Sequence, residues 1–169
     1  MSAMTRLDAE HRIAMLEQSL REANTQIEKL SVIDPLVGIF NRRYLIERLP
    51  QEAARSRRYG QSLSLVMAGL EQTGDLVLQH TVNLAKSVLR GSDWIARYGG
   101  EEFVIVLPET PLSGAHAVAE RMRRMCSETR FGVATIDGAA SSNEDAEALL
   151  RKADKALYAS KRCRVPEYP

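Results

Sequence analysis

The sequence predicts a mixed α/β (α+β) domain in which helices pack on one central sheet, preceded by a separate long helix. Three observations support this fold class: a stretch at 7–33 without Gly or Pro, apolar runs that alternate with amphipathic ones after residue 60, and a β-hairpin pattern at 93–108. The 169 residues leave room for one domain of ordinary size and an appendage. We therefore expect a helical coiled-coil stalk at 1–33 and a domain at 34–169.

The first element is a long helix whose apolar residues form a seam. Its composition, rich in Glu, Gln, Arg, Leu and Ala, favours helix. The apolar positions follow the 3-4 spacing of heptad positions a and d, namely Ile13, Leu16, Leu20, Ala23, Ile27 and Leu30. This pattern predicts a parallel homodimer through the N-terminal helix, in which Arg12 at g pairs with Glu17 at e of the other helix. The alternative is a single amphipathic helix that lies on its own domain.

Behind this stalk, the predicted order is helix, strand, helix, hairpin, helix, strand, helix. Asp34-Pro35 ends the long helix, because the residue before proline is pushed out of the α region. The remaining bounds are a helix from Asn41 to about Tyr59, a strand at 61–70, a helix at 75–89, the hairpin at 93–108, a helix from Pro111 to about Ser127, a strand at 130–136 and a helix from Asp145 to about Arg162. The β-α-β-β-α-β order within this series predicts a ferredoxin-like core.

The hairpin at 93–108 carries the most distinctive local pattern. Gly99-Gly100 can take φ > 0 at both positions, which predicts a tight two-residue primed turn. The second arm, FVIVL, is apolar on both faces, so we expect a central strand covered on both sides. Glu101 and Glu102 stand side by side where that strand leaves the turn, and adjacent carboxylates repel unless a cation or solvent relieves them. They are candidate metal ligands, although a solvated turn could carry the same residues without a ligand.

Composition and charge bound the classes of function. The net charge of +1 argues against a surface that coats a nucleic-acid polymer, and it gives no electrostatic reason to expect a membrane partner. The N-terminus shows neither a signal peptide nor an apolar run long enough to span a bilayer. Cys126 and Cys163 lie far apart without metal-type spacing, which is typical of free thiols in a reducing compartment. We therefore expect a cytoplasmic protein.

Three blocks of the chain resemble the GGDEF family, the diguanylate cyclase domains. Residues 34–43, DPLVGIFNRR, are similar to the family's opening D-x-L-T-G-L-x-N-R-R. Residues 97–103, RYGGEEF, match its signature in the GGEEF form, and residues 153–161, ADKALYASK, resemble its closing A-D-x-A-L-Y-x-A-K. The blocks occur in the family's order, and a coiled-coil stalk before the domain is also usual in the family.

The resemblance implies a reaction and a cofactor. In the family, two GTP-loaded domains face each other, and each 3′-hydroxyl attacks the other's α-phosphate to form cyclic di-GMP. Mg²⁺ clamps the phosphates and is held by an aspartate at the end of the first strand and by the first acidic residue of the hairpin. Carried over to this chain, Glu101 is the hairpin ligand and Glu102 its neighbour in the catalytic turn, while Lys161 and Arg164 are the phosphate contacts.

The end of the first strand departs from the family pattern. The family has D-x-D-x-F-K-x-x-N-D there, followed by the loop G-H-x-x-G-D. In this chain Gly69 falls at the metal-binding aspartate, Glu71 falls at the second acidic position, and the residues that read guanine have no counterparts. The segment before 130–136 and the close at 161–164 are also shorter than usual. Because a hard cation needs oxygen ligands, we expect weak or no cyclase activity.

Another part of the family pattern is retained. Arg90 and Asp93 fit the R-x-x-D of the product-binding site for cyclic di-GMP, and Arg121 aligns with a second family arginine. An arginine fork can donate two hydrogen bonds to the O6/N7 edge of guanine, and a carboxylate can accept from its N–H groups. A lone R-x-x-D could instead be a surface ion pair. Cyclic di-GMP binding is the leading interpretation; the alternatives are an active cyclase, in which Glu71 and Glu101 share Mg²⁺, and a scaffold that binds no nucleotide.

Overall fold

The structure, a computed structural model, describes residues 3–71, 74–138 and 145–162. The chain divides into two compact units, Met1–Val32 and Ile33–Pro169. The first unit contains α1 (Ala3–Leu30), the long helix expected from the sequence. The prediction that Asp34-Pro35 ends this helix is wrong, because the helix stops at Leu30 and Ile33 already forms a β-bridge with Phe40. Within the described part of the chain, no helix is both long enough and apolar enough to cross a membrane.

The second unit contains the elements expected behind the stalk, each within two residues of its predicted bounds. In chain order they are α2 (Arg42–Tyr59), β1 (Leu63–Leu70), α3 (Asp75–Val88), β2 (Trp94–Arg97), β3 (Glu102–Pro108), α4 (Leu112–Met125), β4 (Thr129–Ile136) and α5 (Ala146–Arg162). The start of α2 shows why the bounds were predictable. Asn41 is its N-cap, and the side chain of Asn41 accepts a hydrogen bond from the Tyr44 N–H at 2.9 Å.

The four strands form one antiparallel sheet in the order β2-β3-β1-β4. With the connections β1-α3-β2 and β3-α4-β4, this is the ferredoxin-like arrangement, and the predicted fold class is confirmed. Both interior strands are apolar on both faces: all of β1 is buried, and so are residues 103–107 of β3. The prediction of a central, doubly covered second arm is therefore confirmed as well.

Helices cover the two faces of the sheet. On one face, α3 and α4 pack against the alternate side chains of β1 and β3 that include Val66, Ala68 and Ile105. On the other face, α2 and α5 pack against the intervening set, which includes Leu65, Met67 and Val104. The fit of α5 is close, because a Cβ at Gly132 of β4 would overlap the helix backbone at Ala153 and Leu157. The end of α5 is thereby held against the sheet.

The predicted two-residue primed turn of the hairpin is wrong. β2 ends at Arg97 and β3 begins at Glu102, so four residues connect the strands, and neither Gly99 nor Gly100 takes a positive φ. The N–H groups of Tyr98 and Gly99 both donate to the Glu102 carbonyl oxygen, at 2.8 and 3.0 Å. The Arg97 guanidinium donates to the carbonyl oxygens of Gly99 at 3.1 Å and Gly100 at 2.8 Å. The wider turn is favoured because it directs these carbonyls at the arginine.

Candidate functional site

Charged side chains from several elements meet at the hairpin end of the sheet. Gly69 of β1 lies opposite Glu102 of β3 on one side and opposite Arg130 of β4 on the other. Directly paired residues of neighbouring strands project to the same face of a sheet. The side chains of Glu102 and Arg130 therefore flank the space above Gly69, on the face that α5 covers. Lys161, in the last turn of α5, reaches into that space.

The Lys161 side chain stands where a side chain of residue 69 would be. A Cβ at Gly69 would lie 2.9 Å from both Cε and Nζ of Lys161, and 3.3 Å from Cδ2 of Leu157. Lys161 Nζ donates to Glu102 Oε1 at 2.9 Å, and the two side chains are only 37% and 31% exposed. The residue expected to contact phosphate is thus placed beside one of the hairpin carboxylates.

The carboxylate of Glu71 is engaged by an arginine. Arg130 Nε donates to Glu71 Oε1 at 2.6 Å. The Glu71 N–H donates to the Glu128 carbonyl oxygen at 3.0 Å, which extends the pairing of β1 with β4 beyond the strand end. Sequence reasoning missed Arg130, because its position beside Gly69 and Glu71 follows from the register of the two strands. Alternation along 130–136 was the available signal, but it does not give the register.

Glu101, the expected hairpin ligand, is half-buried at the end of the turn, directly before β3. Its carbonyl oxygen accepts a hydrogen bond from the Leu70 N–H at 3.1 Å, which ties the turn to the end of β1. Within residues 3–71, 74–138 and 145–162, no three His, Cys, Asp or Glu side chains come close enough together to hold a metal ion. Arg164, the second expected phosphate contact, lies outside the described residues.

An ion pair joins the hairpin turn to the opening of the second unit. Arg97 Nη1 lies 3.3 and 3.1 Å from the two carboxylate oxygens of Asp34, and the side chains are 23% and 14% exposed. The same Asp34 carboxylate accepts from the N–H groups of Leu36 at 3.0 Å and Val37 at 3.2 Å. The blocks 34–43 and 97–103, which the sequence analysis singled out separately, are therefore one hydrogen-bonded assembly.

The Arg90–Asp93 turn connects α3 to β2. Asp93 Oδ2 accepts a hydrogen bond from the Arg90 N–H at 2.9 Å, Asp93 Oδ1 accepts from the Ser92 hydroxyl at 3.4 Å, and the Asp93 N–H donates to the Arg90 carbonyl at 3.1 Å. The Arg90 side chain is exposed, and no described carboxylate forms an ion pair with its guanidinium. The carboxylate thus shapes the turn, while the arginine fork stays open to solvent.

A cavity of about 420 Å³ opens beside this turn. Its walls are mainly apolar, with Arg90, Asp93 and Lys86 as the charged residues; the apolar side chains are Ile33, Ile39, Phe40, Leu89, Trp94 and Ile95. Small-molecule sites are usually apolar clefts of this size with a few polar groups. Arg121 is exposed on α4 and does not line the cavity. The structure therefore brings two of the three predicted ligand-binding residues to one cavity.

Comparison with known proteins assigns the family. The family model of the diguanylate cyclase GGDEF domain matches residues 31–164. The chain belongs to the GGDEF family. It spans between a quarter and a half of the length of the curated relatives that it matches.

Individual relatives are similar in sequence and in fold. Diguanylate cyclase DgcP of Pseudomonas aeruginosa is 33% identical over 178 residues, which cover 89% of this chain and 26% of DgcP. Since 89% of 169 is about 150, about 28 aligned positions of DgcP face gaps in this chain. Diguanylate cyclase SiaD of Pseudomonas aeruginosa, solved with its activator SiaC, has a TM-score of 0.69 at 33% identity, over 94% of this chain and 69% of SiaD. The GGDEF domain of DgcB from Caulobacter crescentus, solved with c-di-GMP, has a TM-score of 0.71 at 25% identity, over 78% of this chain and 88% of that domain.

Proposed function

We propose that this GGDEF domain binds cyclic di-GMP at Arg90, Asp93 and Arg121 and has weak or no diguanylate cyclase activity. The observation that carries the proposal is a contrast between two sites. The Arg90 fork is exposed beside an open cavity, whereas the carboxylates of Glu71 and Glu102 are already paired with cations. The similarity to the DgcB domain, which was solved with c-di-GMP, supports the ligand.

The chemistry of the Arg90–Asp93 turn suits a guanine base. The arginine fork can donate two hydrogen bonds to guanine O6 and N7. Asp93 Oδ2 accepts one hydrogen bond from the Arg90 N–H, and a carboxylate oxygen has a second lone pair that can accept from guanine N–H groups. The turn that this bond closes holds the Arg90 backbone beside the Asp93 carboxylate. Arg121 on α4 contributes a further cation from the helix that packs with α3 on the same face of the sheet.

The residues at the hairpin end do not fit Mg²⁺. Mg²⁺ requires nearly octahedral oxygen coordination and is usually held by one or two carboxylates together with phosphates. Gly69 offers only its backbone carbonyl, Glu102 is hydrogen-bonded to Lys161, and Glu71 to Arg130. We therefore do not propose that this end of the sheet catalyses GTP condensation.

The alternative function is that of a working diguanylate cyclase. The retained Gly99-Gly100-Glu101-Glu102 turn and the cyclase relatives favour it. Incubation of the protein at high concentration with GTP and Mg²⁺ or Mn²⁺, followed by chromatography of the products, tests it. We expect unreacted GTP. Formation of cyclic di-GMP at a rate that scales with protein concentration would establish the alternative.

We infer that α1 forms a parallel coiled-coil dimer, and that the protein acts in the cytoplasm. The exposure of the Ile and Leu side chains at positions a and d ranges from 55% for Ile13 to 79% for Leu30 in the single chain. Such a row of exposed apolar residues favours a partner helix of the same sequence. Leu20→Glu should convert the dimer to a monomer in sedimentation velocity, whereas Thr25→Glu, at the outer position f, should leave it dimeric. A monomeric wild type, or equal behaviour of both variants, would contradict the dimer.

Calorimetric titration of cyclic di-GMP into the wild type and Arg90→Ala tests the binding site. We expect micromolar or tighter binding that is lost in the variant, because a charged fork supplies hydrogen bonds that alanine cannot. Equal affinity in both proteins would show that the ligand binds elsewhere. Absence of heat in both, with normal dimerisation, would favour the interaction scaffold that binds no nucleotide.

A further inference from the structure

We propose that the Lys161 ammonium replaces the divalent cation at the hairpin end of the sheet, so that Glu102 has a cationic partner without a metal. Gly69 and Lys161 act together in this exchange, since the glycine makes the room that the lysine fills. The inference deepens the proposed loss of the metal site and rests on the assignment of Gly69 to the position of the family's metal-binding aspartate.

The type of residue at position 69 is explained by the approach of Lys161. Glycine weakens a strand interior and often marks a place where another group comes close. Gly69 does not have a positive φ, so its backbone conformation does not demand glycine. The three atoms nearest to a Cβ there would be side-chain atoms, Cε and Nζ of Lys161 at 2.9 Å and Cδ2 of Leu157 at 3.3 Å. A carboxylate at position 69 would therefore extend into the volume that the ammonium occupies.

Gly132 on the neighbouring strand shows a different case. A Cβ there would overlap the backbone of α5, which cannot move aside without shifting the helix. Gly132 is thus required by packing against the helix, whereas Gly69 makes room for the flexible end of one side chain. Of these two glycines, only Gly69 can be exchanged for aspartate if Lys161 is changed with it.

Two ion pairs flank Gly69 at this end of the sheet. Lys161 pairs with Glu102 at 2.9 Å and Arg130 pairs with Glu71 at 2.6 Å, so two cations neutralise two carboxylates around Gly69. These pairs are partly exposed, and each is individually weak. Coordination geometry is therefore the stronger barrier to a metal: the carboxylates are directed at two separate cations, whereas Mg²⁺ needs its ligands directed at one point.

The consequence is that residues 69 and 161 control metal affinity jointly. Gly69→Asp alone supplies a carboxylate, but Lys161 remains close enough to pair with it. Lys161→Met alone frees Glu102 but still lacks the ligand from β1. In the double variant Gly69→Asp/Lys161→Met, the carboxylates of residues 69, 101 and 102 stand at the hairpin end without the ammonium.

Titration of Mn²⁺ into the full chain measures metal affinity directly, because the electron paramagnetic resonance signal of free Mn²⁺ is lost when the ion binds. We expect weak binding to the wild type and to each single variant, and an affinity roughly tenfold higher in the double variant, because a carboxylate from β1 is added beside Glu102 and the competing ammonium is removed. Mg²⁺ should raise the thermal midpoint of the double variant and leave that of the wild type unchanged. Lys155→Met, an exposed lysine on the same helix, is the matched control and should behave as the wild type.

Two results would overturn the proposal. One is stoichiometric binding of Mn²⁺ to the wild type, a measurement that needs no variant to fold. The other is a double variant that unfolds cooperatively but gains no Mn²⁺ affinity. Substitutions at 69 and 161 should leave the affinity for cyclic di-GMP unchanged, since they lie outside the Arg90–Asp93 turn. Failure of cyclic di-GMP binding would therefore refute the proposed function alone. The role of Lys161 would still be tested by the Mn²⁺ titration.

Discussion

The hairpin end of the sheet and the Arg90–Asp93 turn both keep charged residues of a family motif, but their neighbours differ. At the hairpin end, the carboxylates of Glu102 and Glu71 lie 2.9 and 2.6 Å from the nitrogens of Lys161 and Arg130. At the turn, the carboxylate shapes the backbone, and the arginine faces solvent beside a cavity of about 420 Å³. Residues distant in sequence therefore decide which charges of the two motifs remain available.

Asp93→Ala should have the largest effect on cyclic di-GMP binding. It removes the guanine acceptor and also the hydrogen bond from the Arg90 N–H at 2.9 Å that shapes the turn. Hydrogen bonds to charged groups contribute about 1.5–3 kcal/mol each, so we expect an affinity roughly a hundredfold lower by calorimetry. Ser92→Ala, in the same turn, should change the affinity little. If both variants bound equally well, the turn would not be the ligand site.

Arg97→Ala should show that the hairpin-end charges are structural. The substitution removes donors to the carbonyl oxygens of Gly99 and Gly100 and leaves Asp34, 14% exposed, without its cation. We expect a loss of about 2–3 kcal/mol in the free energy of unfolding by urea denaturation. Arg130→Ala is the control, and its more exposed pair with Glu71 should contribute less than about 1 kcal/mol. Equal losses of unfolding free energy in the two variants would contradict the larger contribution assigned to the Arg97–Asp34 pair.

Arg121→Ala should have a smaller effect that sharpens the boundary of the ligand site. Arg121 is exposed and lies outside the cavity beside Arg90, so a solvated contact to the ligand is the most it can supply. We expect affinity for cyclic di-GMP to fall roughly fivefold, the range of one partly screened charged contact. Arg124→Ala, on the same helix and 79% exposed, is the matched control. No difference between the two variants would restrict the site to Arg90 and Asp93.

The helices, the strands and their sheet could be predicted from the sequence, because the local sequence signals agree with one another. Asn41 caps α2 as expected, and the apolar run of 103–107 is an interior strand. The turn at Gly99-Gly100 was mispredicted because the hydrogen bonds of Arg97, and not glycine's freedom to take φ > 0, decide its shape. These bonds depend on a side chain that local turn rules do not consider.

The residues that contact the candidate site residues could not be predicted from the sequence. Lys161 was expected to contact phosphate, but its position over Gly69 depends on how α5 packs against β4. Arg130 meets Glu71 only through the register of β1 and β4. The cavity beside Arg90 is lined by two separate segments, 33–40 and 86–95, whose juxtaposition no local pattern contains. Motifs therefore located the candidate sites, and tertiary structure determined which charges remain available.

One measurement tests the contrast between the two sites most directly: calorimetric titration of cyclic di-GMP into the wild type in EDTA and again in Mg²⁺. We expect the same micromolar or tighter affinity in both buffers, because the Arg90–Asp93 turn recognises the ligand through its own side chains. Binding that appears only with Mg²⁺ would contradict the account, since it would place a working metal site at the ligand. Absence of binding in both buffers would contradict it as well.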